Sequence, residues 1–451
     1  MALNLTLLTF LAARLRLHHA GIFSVGAIGL GSVLLPHYIL YPLYLVATDE
    51  RFLPDDDFMT ALAIVTAMLT ALLLGTLSTH RTTLPRFLRM SEHGGGAPVV
   101  FVLLSLTLVA LLGVAFIGTG SYNPLQSLLM ARSAPARLAY LRLNLAYPQL
   151  LLFGAANFLL ALAIVRIYRR GGPRPLLTAL AVTLTCCFVL LSYGSRAVLF
   201  GPLLIFFFVT HHLHRRIRMT LLVPLVIAAV PVFVLVRLVG GGHPLSELIE
   251  EGWATDREFI TKEFVARFNG FEGLVDLAGW SENEPLGAGR TLGQMAVRWV
   301  PRRIMPDKPQ SADVYLSEQI YGRPEFGGGI MIYGGAGEMY YNFRLLGVLL
   351  WFFILGRLLY RVHFGTATLL AHQRLVGVAL IVSNPVLLRG LVNLGVNTIA
   401  MQQLLMTLAA QAFIVLILTL SGARKRPAEL RIDEIDRDRV ASLLPVGEVG
   451  G

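Results

Sequence analysis

The chain alternates between long apolar runs and shorter polar segments, and most of the apolar runs are about twenty residues long. That length lets a helix cross the hydrocarbon core of a bilayer. A transmembrane β-barrel would instead show roughly ten-residue segments of alternating polarity. The pattern therefore predicts an all-α, polytopic membrane protein with about ten transmembrane helices. The predicted spans cover approximately residues 20–46, 58–77, 98–117, 148–167, 176–193, 197–210, 219–239, 345–360, 375–388 and 399–420.

Two segments do not fit the spanning pattern. Residues 3–13 are apolar but too short to cross a bilayer, and they predict an interfacial helix. The polar stretch 240–342 predicts a large extracytoplasmic loop, whose first part carries an amphipathic stripe that includes Phe264 and Val275, with Arg267 beside it. The predicted organisation is an N-terminal transmembrane region over 1–239, the loop over 240–342, a C-terminal transmembrane region over 343–422 and a cytoplasmic tail over 423–451.

Composition supports the membrane class and removes nucleic acid as a partner. Hydrophobic residues make up 55% of the chain, charged residues 14%, and the mean hydropathy is +0.67. The net charge of +11 is explained by the basic clusters that cytoplasmic loops carry. Placing the clusters at 169–170, 215–216 and 424–426 inside gives a cytoplasmic N-terminus and a cytoplasmic C-terminus. Cys186 and Cys187 are adjacent in an apolar run and predict packing, not a metal site.

Arginines also gather on the predicted outer side, against the usual bias. Their planar donor forks suit an anionic ligand at the lipid boundary, and a lipid pyrophosphate is the natural candidate. The alternative is that they reach to headgroups or pair with acids of the same loop. Arg196 and Arg389 favour function, because both lie at helix junctions without a local acid. The outer arginines are Arg132, Arg137, Arg142, Arg196, Arg237, Arg257, Arg267, Arg290, Arg298, Arg302, Arg303, Arg323 and Arg389.

Four short motifs resemble the O-antigen polymerase (Wzy-type) family of oligosaccharide repeat-unit polymerases. They are Gly194-Ser195-Arg196, the proline- and arginine-rich stretch 300–309, the stretch 337–343 that enters a helix, and Leu388-Arg389-Gly390. The order of the spans and the position of the long loop also resemble that family.

The resemblance implies a multi-pass glycosyltransferase of the bacterial cytoplasmic (inner) membrane, with a fold similar to the GT-C type. Its substrates would be polyprenyl-pyrophosphate-linked oligosaccharides, presented from the membrane lipid and polymerised at the outer face. The resemblance also admits a chain-length regulator protein as a further partner, and it implies neither a cofactor nor a metal.

The candidate residues follow from this chemistry. Arginines would stabilise the pyrophosphate leaving group, so no divalent metal is needed. The run Asp55-Asp56-Asp57 is interpreted as an ordinary solvated turn. A carboxylate should accept the proton of the acceptor hydroxyl, with Glu338 the first choice and Glu272 the second. The predicted catalytic residues are Arg196, Arg290, Glu338 and Arg389, and the predicted substrate-binding residues are Arg267, Arg298, Arg302, Arg303, Arg323, Lys308, Tyr340 and Tyr341.

The sequence further predicts that Arg196 and Arg389 meet the arginines of the long loop around one pyrophosphate. Two alternatives stay open. An O-antigen ligase would share the donor but transfer the glycan to a lipid acceptor. A flippase or transporter of lipid-linked glycans should show internal repeats and charged or broken helices at mid-membrane, and the sequence shows no repeat and no Asp or Glu within the predicted spans.

Overall fold

The computed structural model describes residues 1–15, 27, 34–48, 55–79, 97–120, 146–193, 196–214, 217, 270–282, 284–297, 304–305, 307, 312–322, 334–371, 375–383 and 398–420. The helices are α1 (Ala2–Arg14), a π-helix (Pro36–Leu40), α2 (Tyr41–Thr48), α3 (Asp56–Leu77), α4 (Ala97–Thr119), α5 (Ala146–Arg170), α6 (Pro175–Leu191), α7 (Arg196–Leu213), α8 (Gly270–Ser281), α9 (Arg290–Val297), α10 (Ala312–Tyr321), α11 (Gly334–Ala371), α12 (Leu375–Val382) and α13 (Thr398–Leu420).

The predicted all-helical fold is confirmed over these residues, which contain no strand. Four helices, namely α3, α4, α5 and α11, are long and apolar enough to cross a membrane. Helices α6, α7, α12 and α13 also lie where spans are predicted. The predicted spans over 219–239 and most of 20–46 fall outside the described residues, so the figure of about ten spans stays a prediction.

Helix α3 is the centre of one group of helices and packs against α1, α8 and α11. It begins at a capped N-terminus, where the Asp55 carboxylate accepts a hydrogen bond of 2.8 Å from the Phe58 amide. Its contact with α11 is a backbone approach at Gly75 and Gly356. A Cβ on Gly75 would collide with the Phe353 carbonyl oxygen, and one on Gly356 would collide with the Leu72 carbonyl oxygen. Small residues permit such approaches between helices in a membrane.

Helix α5 is the centre of the second group and packs against α4, α6, α7, α12 and α13. Every residue from Phe158 to Val165 is at most 1% exposed, because these five neighbouring helices surround the segment. A Cβ on Gly154 would lie 2.7 Å from the Thr407 Cα, which shows how closely α5 and α13 approach. The contact between α11 and α12 joins the two groups.

Helix α1 was predicted as an interfacial helix, and the structure shows which helix it packs against. It lies lengthwise along the second half of α3, with Thr66 donating to the Asn4 side chain at 2.7 Å. At its other end, the Arg14 guanidinium donates to the carbonyl oxygens of Thr76 and Thr79, each at 3.2 Å. Burial of Asn4, Leu8 and Leu11 accounts for this orientation. Hydropathy predicted that this segment is an apolar helix, but the direction of α1 is set by its packing against α3.

Helix α11 is broken near its start. Phe343 and Arg344 leave helical geometry, and Arg344 adopts φ +54° and ψ −152°. A residue other than glycine in such a region costs about 1–3 kcal/mol, so surrounding contacts must hold it. The break separates a short polar segment, 334–342, from the apolar segment that follows.

The two ends of the bundle carry different charges. The acidic end is the one where α3 begins, where α11 is broken and where α8, α9 and α10 lie. The Asp and Glu residues at the start of α3 and on or near α8, α10 and α11 whose side chains the structure describes lie at this end, together with Arg290 and Arg344. The basic end carries arginines but no acid among the described side chains, namely Arg14, Arg166, Arg169, Arg170, Arg174, Arg357 and Arg361. Which end faces the cytoplasm stays a prediction from the sequence.

Candidate functional site

Helix α8 fixes the short helices of the loop to the acidic end. One face of α8 packs on the bundle, with the Phe271 and Phe58 rings 5.1 Å apart at 68°. Its other side contributes the buried Leu277 to a small second core with Leu316 and Tyr341. The site therefore stands on an element held by the membrane helices and not on a free loop.

The loop before α9 is docked on the broken end of α11. The amide of Gly287 donates to the Tyr341 carbonyl oxygen at 3.1 Å, and that of Ala288 to the Asn342 carbonyl oxygen at 3.2 Å. A helix that ends at Phe343 leaves such carbonyl groups without intrahelical partners. Gly287 lies so close to the Tyr341 ring that a Cβ there would collide with it. Ala288 and Gly289 then turn through φ +45° and +85°, and α9 begins at Arg290.

Arg290 is exposed and rests on tyrosines. Its guanidinium carbon lies 4.6 Å from the centre of the Tyr315 ring, and Nη1 donates to the Tyr315 hydroxyl at 3.2 Å. Burial has the larger effect on the pKa of the nearby Tyr341 hydroxyl and raises it, while the positive charge of Arg290 lies close enough to lower that pKa. Among the described residues Arg290 contacts these aromatic side chains and no carboxylate, so the alternative that this arginine pairs with a loop acid is not seen. One face of the guanidinium packs on the Tyr315 ring, and the side chain is exposed to solvent.

An aromatic cluster surrounds this arginine. We use that name for Trp280, Tyr315, Tyr321, Tyr340 and Tyr341, which pack together with Leu277 and Leu316. Ring centres of Trp280 and Tyr341 lie 6.0 Å apart, and those of Tyr315 and Tyr341 lie 5.9 Å apart. Tyr341 is only 4% exposed, so little of its ring can reach a ligand, and it supports Tyr315 and Arg290 from beneath. Tyr340 is half-buried beneath Arg344.

The two candidate bases have different surroundings. Glu338 is 2% exposed, and it lies one turn before Asn342, whose side-chain amide donates to the Glu338 carbonyl oxygen at 2.8 Å and to the Thr291 hydroxyl at 2.6 Å. Glu338 is therefore on the same helix turn that holds the start of α9. Glu272 is half-buried on α8 and accepts a 2.8 Å hydrogen bond from the Tyr41 hydroxyl.

Two of the three acids at 55–57 have structural contacts in this fold. Asp55 caps α3, and Asp57 lies against α8 so closely that a Cβ on Gly279 would collide with its carboxylate. Within the described part of the chain, no group of three or more His, Cys, Asp or Glu side chains is placed to hold a metal ion.

Several predicted site residues lie outside the described residues. Arg196 begins α7, which puts its backbone at the acidic end because α6 runs there from the basic end, but its side chain is not described. Helix α9 contacts α13, the helix that follows the predicted Arg389 turn. The predicted meeting of Arg196 and Arg389 stays untested. The residues outside the described part are Arg267, Arg298, Arg302, Arg303, Lys308, Arg323 and Arg389.

Arg344 was not predicted as a functional residue from the sequence. Its guanidinium donates to the carbonyl oxygens of Ser281 at 2.5 Å and Glu284 at 3.0 Å, and its Cζ lies 5.3 Å from the centre of the Tyr340 ring. The available signal was its position at the boundary between the polar loop and an apolar run, where arginines commonly anchor.

Comparisons of the chain with protein-family models, with curated proteins and with solved structures gave no match.

Proposed function

We propose that this protein is a membrane-embedded glycosyltransferase that polymerises polyprenyl-pyrophosphate-linked oligosaccharide repeat units at the outer face of the bacterial cytoplasmic membrane. The observation that supports this most directly is Arg290, an exposed cation held on tyrosines at the end of a bundle of apolar helices. A headgroup carried by a lipid reaches a protein at such an end. A guanidinium there can bind phosphate oxygens through two parallel donors.

In the proposed reaction, a hydroxyl of the incoming lipid-linked unit attacks the anomeric carbon of the growing chain. The bond from that carbon to the pyrophosphate oxygen breaks, and the lipid pyrophosphate leaves with the bonding electrons. The negative charge on the leaving oxygen increases in the transition state, where a preorganised cation stabilises it most. Arg290 supplies that cation, and Arg196 and Arg389 are proposed to join it.

The proton of the attacking hydroxyl needs an acceptor. We assign it to Glu338, because the Asn342 amide bonds both the Glu338 main chain and Thr291, the residue after Arg290. That connection holds the acid and the arginine on adjoining turns. Glu338 is enclosed in this conformation, so its carboxylate must become accessible when substrate binds.

The aromatic cluster supplies a surface suited to the sugar units. Trp280 and Tyr315 are half-buried, and each presents part of its ring at the acidic end. Their flat faces can pack on the C–H faces of sugar rings, while Tyr hydroxyls exchange hydrogen bonds with sugar hydroxyls. The proposed site therefore joins a cation for the pyrophosphate to rings for the glycan.

The test is transfer by the purified full-length protein in lipid nanodiscs with one defined polyprenyl-pyrophosphate repeat unit, in buffer containing EDTA. A ladder of lengthening products is expected, and Arg290→Ala and Glu338→Gln should abolish it while leaving the protein folded. Product formed only with a lipid A core acceptor would make the protein a ligase. Transbilayer movement without bond formation would make it a flippase. Activity lost in EDTA and restored by magnesium would contradict the metal-free arginine mechanism.

A further inference from the structure

The break in α11 creates the platform on which the Arg290 loop rests. If α11 continued as a regular helix through Arg344, the carbonyl oxygens of Tyr341 and Asn342 would accept from amides four residues later. Instead they accept from Gly287 and Ala288. The position of the loop therefore depends on the broken geometry at Phe343 and Arg344.

The Arg344 side chain accounts for the stability of that geometry. Its two hydrogen bonds go to Ser281 and Glu284, which are the last residue of α8 and a residue just beyond it. Carbonyl groups at a helix C-terminus lack intrahelical donors and carry partial negative charge, so a guanidinium suits them. Its contact with the Tyr340 ring holds it from the α11 side. The same side chain thus joins α8 to the segment of α11 before the break.

We propose that Arg344 is a positioning residue that fixes the loop carrying Arg290 at the acidic end, and that it binds no substrate itself. The inference that this matters for catalysis rests on the proposed function. Arg290 and Arg344, both at the acidic end, then have separate roles. Arg290 contacts the pyrophosphate, and Arg344 holds the backbone that positions Arg290. A catalytic group displaced by about 1 Å can lose roughly 10²-fold in rate, so a distant clamp can control turnover.

The first measurement is independent of activity. Hydrogen–deuterium exchange of a peptide covering 284–291 reports on the amides of Gly287 and Ala288. In Arg344→Ala its exchange should speed up at least about tenfold, while peptides of α3 keep the wild-type rate. Arg344→Lys should be intermediate, because it keeps a donor for the carbonyl groups but not the planar fork. Arg361→Ala, an exposed arginine of the same helix at the basic end, is the matched control and should change nothing.

A glycine variant separates the side chain from the backbone strain. Arg344→Gly suits positive φ and removes the guanidinium, so it should fold even if Arg344→Ala does not, and it should still lose protection at 284–291. Wild-type protection in both variants would overturn the clamp.

The second measurement is the transfer assay. In Arg344→Ala and Arg344→Gly we expect kcat to fall about 10²-fold with KM within a few-fold of wild type, because substrate binding surfaces remain while Arg290 is misplaced. Faster exchange with unchanged kcat would overturn the positioning role. If the wild-type protein shows no transfer, the proposed function fails, and the exchange result still decides whether Arg344 holds the loop.

Discussion

Arg290 and Arg344 lie at the same end of the molecule, yet their surroundings give them different roles. The Arg344 guanidinium is held by the Tyr340 ring and by two carbonyl oxygens, to which its Nη2 donates. Arg290 rests on a tyrosine and is exposed. Arginine composition alone cannot separate these cases, because each role depends on partners that are distant in sequence. Arg290 was predicted as a site residue on charge and position, whereas Arg344 lay just before the predicted span at 345–360 and was given no role.

Replacement of Arg290 by Lys tests the bidentate contact. Lys keeps the positive charge but not the planar fork, and it cannot stack on Tyr315 in the same way. We expect about 10²-fold slower polymerisation, in line with the loss of one preorganised contact to a developing negative charge. The measurement is the initial rate of chain extension with purified protein.

Two further variants show whether the effect belongs to the guanidinium. Arg361→Lys, at the basic end, should keep the wild-type rate. Tyr315→Phe keeps the ring and removes the hydroxyl that Arg290 bonds, so its rate should lie between those of wild type and Arg290→Lys. Equal rates for wild type and Arg290→Lys would remove Arg290 from the proposed mechanism.

Individual helices were predicted well where hydropathy alone decides. The predicted span at 58–77 is α3 (Asp56–Leu77), that at 98–117 is α4 (Ala97–Thr119), and that at 399–420 is α13 (Thr398–Leu420). Each is a continuous apolar run. Such a run forms a helix whether other helices or lipid cover it, so hydropathy is enough to predict it. Neither the direction of α1 nor the break in α11 was predicted. Both depend on contacts with other helices: α1 on the groove beside α3, and the break on the carbonyl groups at the end of α8.

The contact between α3 and α11 gives a prediction about stability. A methyl group at Gly75 would meet the Phe353 carbonyl oxygen, which is backbone and cannot rotate away. Gly75→Ala should therefore push the helices apart and lower stability by about 1–3 kcal/mol, the usual range for overpacking. Thermal unfolding in detergent, followed by circular dichroism or intrinsic fluorescence, measures the midpoint.

Gly113→Ala is the matched control, since Gly113 lies within α4 and a Cβ there meets nothing within 4 Å. It should leave the midpoint unchanged or raise it slightly, because alanine is the better helix former. If Gly75→Ala and Gly113→Ala shift the midpoint equally, the close approach at Gly75 is not part of the folded protein in solution.

At the scale of the whole molecule, the two ends of the bundle differ in charge in the way that membrane insertion selects. The positive-inside bias predicts that the end with arginines and without acids faces the cytoplasm. The described acids and the proposed site share the opposite end. The sequence predicted this division from hydropathy and charge, and the contacts among helices place the loop helices α8, α9 and α10 at that same end.

This division predicts which residues can be labelled from outside. Gly172, in the turn between α5 and α6, and Glu284, after α8, are both exposed and lie at opposite ends. With Cys186 and Cys187 replaced by Ala, Glu284→Cys should react with a membrane-impermeant maleimide in spheroplasts. Gly172→Cys should react only after the membrane is permeabilised. Gel shift of the labelled protein measures both.

The opposite labelling pattern would contradict more than the orientation. If Gly172→Cys were labelled in sealed spheroplasts and Glu284→Cys were protected, Arg290 would face the cytoplasm. Seven described arginines would then lie outside and the acids inside, against the bias that sets membrane topology. Repeat units exposed on the outer face could not reach the Arg290 site from there, so the proposed polymerisation would have to be abandoned even if the purified protein were folded. Labelling of both positions in sealed spheroplasts would show instead that the two ends are not separated by a bilayer, and would contradict the spanning role of α5 itself.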